Sequence, residues 1–281
     1  MSEADELALR LRAAAEAARA GGAVHLRLRG GDLQRDVHAG ERADYSTEAD
    51  REAQAAVREA LRRYFPDEPL VGEETEMDWA AFPSLLQSGC WLTDPLDGTL
   101  EFVHGTPAFS CVVSFVREGR PLAAAVYFPA WDELFSAARG AGARLNGRPV
   151  RVSGAVRLEE AVFAVPHRST APDRARHFAD QLAKLVPHLE AFRISGPPSL
   201  MATWVACGRY DIMSFLSPRQ EAVPGRPFLG QPWETAAFVL LVQEAGGAVA
   251  SFGGGPPDLL GYNVYAASRA LIDEFLAAVA A

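Results

Sequence analysis

The stretch WLTDPLDGTLEF sets two carboxylates, Asp94 and Asp97, at the end of an apolar run and in the turn just after it. Pro95 lacks an N–H and is expected to stop the run from continuing into a ladder. Within such a turn the two carboxylates can face one point, with the Leu96 carbonyl between them. Hard cations such as Mg²⁺ take this kind of oxygen set. Gly98 and Thr99 follow, and their backbone N–H groups at the start of a helical turn would favour a phosphate dianion. The same residues also read as an Asx-turn with a glycine at positive φ.

Two further acids stand where they could join this pair. VGEETE puts Glu73 and Glu74 directly after another short apolar run, and PWETAAFVLLVQEAGG puts Glu234 in the first turn of an apolar helix. A first-turn glutamate is also favoured simply by the helix dipole.

GEE, DPLDGT and the WETAA…EAGG helix, in this order and at these separations, resemble the inositol monophosphatase superfamily, which includes 3′-phosphonucleotide and fructose-1,6-bisphosphate phosphatases. The likeness runs from about Asp44 to the C-terminus. It implies a layered αβαβα sandwich (the sugar-phosphatase fold), a homodimer, and lithium-sensitive chemistry on two or three Mg²⁺ ions, with Mn²⁺ as a substitute. By the resemblance, Glu73, Asp94 and the Leu96 carbonyl hold one ion. Asp94, Asp97 and Glu234 hold a second, and a looser third shares Glu73. Glu73, Thr99 and Asp50 then form the catalytic set, in which Thr99 orients the attacking water and Asp50 is its hydrogen-bond partner. Glu74 stands behind the ligands. Asp97, Gly98, Thr99, Ser199 and Glu234 face the substrate. The implied reaction is hydrolysis of a small phosphate monoester of the sugar, polyol or inositol type by metal-activated water. No G-x-S-x-G elbow or P-loop suggests a covalent or nucleotide-dependent route.

Three departures bear on substrate. The helix start is usually W-D in the family and is Trp233-Glu234 here, a longer arm. The glycine-serine or glycine-threonine stretch before the substrate-facing helix reads Gly196-Pro197-Pro198-Ser199, with two donors removed. The glutamate that inositol-cleaving members carry after a strand like the one near Asp211 has no equivalent in IMSFLSPRQEAVPGRPFLGQ. Glu101 leans toward the nucleotide-phosphatase branch, and the following Phe102-Val103-His104-Gly105 toward the inositol branch. Two rival readings therefore stand: a 3′(2′),5′-bisphosphate nucleotidase, and a non-catalytic metabolite-binding relative. His104, Arg219, Arg226 and the glycines of Phe252–Pro257 each have an ordinary surface or loop reading beside a functional one.

The elements that must place these residues follow from periodicity. ELALRLRAAAEAARAGG has Leu7, Leu11, Ala14, Ala15 and Ala18 on one helical face, and Gly21-Gly22 can either end that helix or be run through at some cost. Residues 24–43 read as loop or irregular hairpin. A second helix begins at Thr47, with Asp50 at capping-box spacing, and Pro66 stops it. CWLTD, FSCVVSFV, PLAAAVYF and the Asn-Gly hairpin RLNGRPVRV suggest a largely antiparallel sheet. From about residue 155 strands alternate with helices, the mark of α/β layering. The halves divide as 1–154, carrying the metal motifs, and 155–281, completing the site. The long Pro/Gly-rich segment 217–231 reads as a functional loop or a partner contact.

Composition sets the limits. The chain has 281 residues, a formal net charge of −9 and a pI near 5.2, with a single lysine, Lys184. No basic stripe suits a nucleic-acid polymer, and no run nears the roughly 20 apolar residues of a membrane span. Cys90, Cys111 and Cys207 lie far apart without metal-site spacing, which suits a reducing compartment. The acidic N-terminus is unlike a secretory signal. A cytoplasmic enzyme acting on a small phosphorylated metabolite is the expectation.

Overall fold

The computed structural model describes residues 2–31, 35–37, 45–75, 77–166, 172–194, 196–216 and 228–280. In chain order the first half comprises α1 (Glu3–Leu28), β1 (Arg35–Val37), β2 (Tyr45–Thr47), α2 (Glu48–Arg62), β3 (Leu70–Gly72), α3 (Phe82–Ser88), β4 (Cys90–Asp97), α4 (Thr99–Val103), β5 (Ser110–Arg117), β6 (Arg120–Phe128), β7 (Glu133–Ala138), β8 (Ala143–Leu145) and β9 (Arg148–Pro149). The second half comprises β10 (Val162–Ala164), α5 (Pro172–Leu185), β11 (Ala191–Arg193), α6 (Pro198–Ala206), β12 (Ile212–Ser214), α7 (Pro232–Glu244), β13 (Ala248–Ser251), β14 (Asn263–Ala266) and α8 (Arg269–Ala280).

Seven strands, β3 to β9, form one sheet in sequence order, antiparallel except for the β3–β4 pair. A second, mixed sheet has the order β11-β10-β12-β14-β13. Alternation along the first sheet explains the layering. Trp91, Cys111, Val113 and Phe115 meet Ala13, Ala14, Ala17, Ala18, Val57 and Leu61 of α1 and α2. Cys90, Leu92, Val112 and Val116 point the other way, into a core shared with α6 and α7. Both faces are covered, so β4 is buried at every position. Beyond α6 and α7 lies the second sheet, whose far face packs on α5 and α8 through Phe163, Phe178, Leu271, Ile272 and Phe275. The result is the layered αβαβα sandwich. Among the described residues no helix is long and apolar enough to cross a membrane.

Two local expectations are corrected, and one open reading is decided. Helix α1 does not end at Gly21-Gly22 but runs on to Leu28. A Cβ at Gly21 would lie 2.5 Å from Cys111 Sγ, and one at Gly22 would lie 2.5 Å from Tyr127 Cδ1. The pair lets the helix lie close against the sheet, and that packing outweighs the helix cost of two glycines. Pro95 does not end its strand. The ladder slips between Asp94 and Asp97, and pairing resumes at Asp97 opposite Ser110, so the proline sits in a bulge. Residues 24–28 are helical, and β1 and β2 form a short antiparallel pair. Strand β7 carries no turn or alternation signal that marks it in advance. The Asn146-Gly147 hairpin is present with both residues at positive φ.

Candidate metal and phosphate site

The site gathers where β3 and β4 end and where α6 and α7 begin. Asp94 is 2% exposed, Asp97 6% and Glu234 7%, and one carboxylate oxygen from each lies within 4.8 Å of the others. The bulge at Pro95 brings Asp94 and Asp97 together across a distorted ladder. Asp94 Oδ1 accepts the Leu96 N–H at 3.0 Å.

Asp97 reaches the second half of the chain. Helix α6 begins Pro197-Pro198-Ser199 and has no side-chain cap of its own. The Ser199 N–H donates to Asp97 Oδ2 at 2.8 Å, so an acid from another strand caps the helix. Ser199 is fully buried, and its hydroxyl is hydrogen-bonded to that of Ser110 at 2.8 Å. The substrate contact expected at Ser199 thus meets a residue whose N–H and hydroxyl are already engaged. Helix α7 starts on Pro232, and Glu234 lies in its first turn. Both helices of this pair direct their positive ends toward the acids.

Glu73 follows β3, and its N–H bonds the Thr93 carbonyl at 3.3 Å, beside Asp94 on the next strand. It stands outside the three-carboxylate cluster. Burial pushes the Asp94 carboxyl well up from the ordinary carboxylate range, and the charges of Glu73, Asp97, Glu234 and Asp50 push it further. Four acids around one buried carboxylate are unfavourable without a compensating cation. All the donors are hard oxygens, so the set fits a divalent ion such as Mg²⁺.

Asp50 joins this site to α2. Its Oδ2 accepts the Thr47 N–H and hydroxyl, both at 2.7 Å, completing the capping box. Its Oδ1 accepts from Thr99 Oγ1 at 3.1 Å. The Thr99 hydroxyl also lies 3.0 Å from the Leu96 carbonyl, so one proton serves two acceptors. Burial raises the Asp50 carboxyl to about 6, against its bonds from Thr47 and Thr99 and with help from the Glu74 charge. Gly98 caps α4 at φ +94°, and a Cβ there would lie 2.7 Å from the Ala108 carbonyl oxygen. Only glycine fits that turn.

Other candidates fall elsewhere. His104 is exposed at the end of α4, and the Phe252–Pro257 stretch is a turn tied back to Ser251. Cys90 and Cys111 are buried free thiols with raised pKa, the first to about 12. Arg219, Arg226 and most of segment 217–231 lie outside the described residues. The end of that segment is anchored: Leu229 and Gly230 both donate to the Leu260 carbonyl, and Phe228 meets Trp79 and Trp233 edge-on. Sequence reasoning missed His25. It is fully buried in the last turn of α1, with Nε2 2.8 Å from the Pro95 carbonyl oxygen. No pattern marks it, because the residues around it read as loop.

Comparison with known proteins agrees with this geometry. The family model described as "Inositol monophosphatase family" matches residues 6–281. "Inositol monophosphatase 2" of Solanum lycopersicum is 34% identical over 241 residues, 84% of this chain and 85% of that one. "Nus factor SuhB" of Pseudomonas aeruginosa is 38% identical over 216 residues, 75% and 73% of the two chains. "Fructose-1,6-bisphosphatase/inositol-1-monophosphatase" of Thermotoga maritima is 33% identical over 238 residues, 84% and 82%. Among solved structures, an IMPase of Thermotoga maritima superposes with a TM-score of 0.80 at 28% identity, covering 98% of this chain and 97% of that one. With a family model spanning nearly its whole length, this chain belongs to the inositol monophosphatase family, a family of phosphatases.

Proposed function

We propose that this protein hydrolyses a small phosphate monoester in a Mg²⁺-dependent reaction, with the alcohol half a sugar or polyol. The observation that carries the reading is the buried trio of Asp94, Asp97 and Glu234, with oxygens within 4.8 Å of one another. Glu73 and the Leu96 carbonyl stand next to it as further oxygen donors. A divalent ion held there would supply charge neutralisation at the phosphoryl and leaving oxygens and would acidify a ligated water.

The chain's own residues do the rest. Asp97, fixed by the Ser199 N–H, holds its second oxygen toward the cluster. The Thr99 hydroxyl donates to Asp50, which leaves its oxygen to accept from a water and orient it for in-line attack on phosphorus. The missing Cβ lets the Gly98 turn pack against Ala108 and Phe109, and its N–H and that of Thr99, at the start of the α4 turn, would favour the substrate phosphate. Burial of the trio excludes bulk water, which strengthens each of these electrostatic contacts.

The relatives carry inositol monophosphatase, fructose-1,6-bisphosphatase and Nus factor names. Strand β12 is followed here by Phe215, edge-on to Tyr262 at 5.1 Å, and by Leu216. An apolar residue where a carboxylate could grip a polyol turns the reading from inositol 1-phosphate toward other sugar or polyol phosphates. We further read the active form as a homodimer in the cytoplasm.

The test is phosphate release from a panel of sugar, inositol, nucleotide and polyol phosphates, with Mg²⁺ and with EDTA. Mg²⁺-dependent release from a sugar, inositol or polyol phosphate supports the reading, and release confined to nucleotides gives the site to the nucleotidase rival. Release that is equal in EDTA, or no release from any ester, refutes it.

A further inference from the structure

The residue that links helix α1 to the metal loop has no part in the chemistry proposed for the site. The glycine pair at Gly21-Gly22 lets α1 lie against β5 and β6 and carries its last turn to the bulge in β4. There His25 is fully buried, with its ring edge-on to Phe109 at 5.8 Å and tilted against Phe102 at 5.9 Å. These rings fix its plane. Its Nε2–H donates to the Pro95 carbonyl at 2.8 Å, while Nδ1 has no partner among the described residues. A buried imidazole with one bonded nitrogen is the Nε2–H tautomer, since a proton on Nδ1 would have no acceptor.

The Pro95–Leu96 peptide is therefore held at both ends. His25 takes its carbonyl, and Asp94 Oδ1 takes its N–H at 3.0 Å. One peptide further on, the Leu96 carbonyl accepts from Thr99 at 3.0 Å. Rotating the Pro95–Leu96 plane would turn the Leu96 carbonyl and break the bond that orients Asp94. The preceding peptide adds no donor to hold the loop, because Pro95 has no N–H.

We propose that His25 is a positioning residue for the cation site: its bond to Pro95 sets the peptide plane that aims the Asp94 carboxylate and the Leu96 carbonyl. This rests on the reading that the Asp94–Asp97 loop holds a divalent cation. Groups that orient metal ligands commonly matter to affinity by about 10–100-fold.

The experiment measures Mg²⁺ and Mn²⁺ binding to the full chain by calorimetry without substrate, for wild type, His25→Leu and His25→Gln. Leucine fills much of the volume without a donor, and glutamine returns a donor at similar reach. The expected result is metal binding weakened about tenfold or more in His25→Leu and restored to within about threefold by His25→Gln. Loss confined to melting temperature, or equal metal binding in His25→Leu and wild type, overturns the proposal. So does His25→Gln binding no better than His25→Leu. If wild type binds neither ion, the metal-site reading itself falls, which is a separate outcome. Should His25→Leu not fold, ¹⁵N-histidine spectra of the wild type decide, with His25→Gln supplying the assignment. The Nε2–H signal of His25 should shift along the Mg²⁺ titration with the midpoint of binding, and an unmoved signal overturns the proposal.

Discussion

Replacing Asp50 with asparagine separates its capping role from its role at Thr99. The carboxyl is buried and raised to about 6 from 3.8. An acid whose pKa is raised on folding stabilises the protein below its unfolded value and loses that contribution as pH rises through the folded value. A rise of this size corresponds to about 3 kcal/mol, so the metal-free protein loses roughly this amount between about pH 4 and pH 6. Asp50→Asn removes that loss. The bonds from Thr47 and Thr99 lower the carboxyl, so their preference for a charged acceptor is already inside that net rise. At pH 8 the metal-free variant should therefore exceed wild type by up to about 3 kcal/mol, a rise in Tm of roughly 6–12 °C.

Activity should move the other way. The asparagine oxygen takes the Thr47 bonds, so its amide nitrogen faces Thr99 and donates to the hydroxyl that formerly donated to Asp50. That hydroxyl's proton then goes to the Leu96 carbonyl alone. Loss of a bond to a charged group costs about 1.5–3 kcal/mol, or a fall in kcat of about 10–150-fold at saturating Mg²⁺. Thermal melts across pH 4–8 in EDTA, and steady-state kinetics with Mg²⁺, test the two halves. A kcat within about threefold of wild type would show that Asp50 does not act through Thr99. A kcat loss matched by a fall in Tm would reduce Asp50 to a helix cap.

Asp94→Asn should raise the Tm of the metal-free protein, because one charge leaves a crowd of four other acids, yet lower kcat more than tenfold, about 1.4 kcal/mol, at saturating Mg²⁺. Retained turnover would refute its place among the ligands. Thr99→Ala should lower kcat far more than it raises KM, as expected of a group that acts in the transition state; a change in KM alone would make it a phosphate binder. Gly21→Ala gains about 1 kcal/mol of helix propensity but sets a methyl 2.5 Å from the buried Cys111 Sγ. Overpacking costs about 1–3 kcal/mol, so Tm should fall, and a rise would show that α1 can lift off the sheet freely.

Residue patterns and the family resemblance together pointed to the acids, and local pattern marked most of the elements. The Thr47–Asp50 capping box, the Asn146-Gly147 hairpin and the WETAA helix are local: each is specified by a few neighbouring residues and is found where expected. The carboxylates of Asp94 and Asp97 were likewise legible, because their spacing and the resemblance named them together. What the chain could not show by local pattern depended on residues distant in sequence. Gly21-Gly22 could end a helix or be run through, and only contact with Cys111 and Tyr127 made it a packing site. Pro95 looked like a strand end, and pairing of Asp97 with Ser110 made it a bulge. Ser199 was named by the resemblance, and its bonds to Asp97 and Ser110 through N–H and hydroxyl follow from the fold alone. His25 had no motif at all, since its meaning lies in a carbonyl 70 residues away. Helix and turn preferences act over a few residues and so can be read along the chain. Close approach, burial and the electrostatic crowding of Asp94 arise only when distant segments share the same space, and there tertiary structure decides.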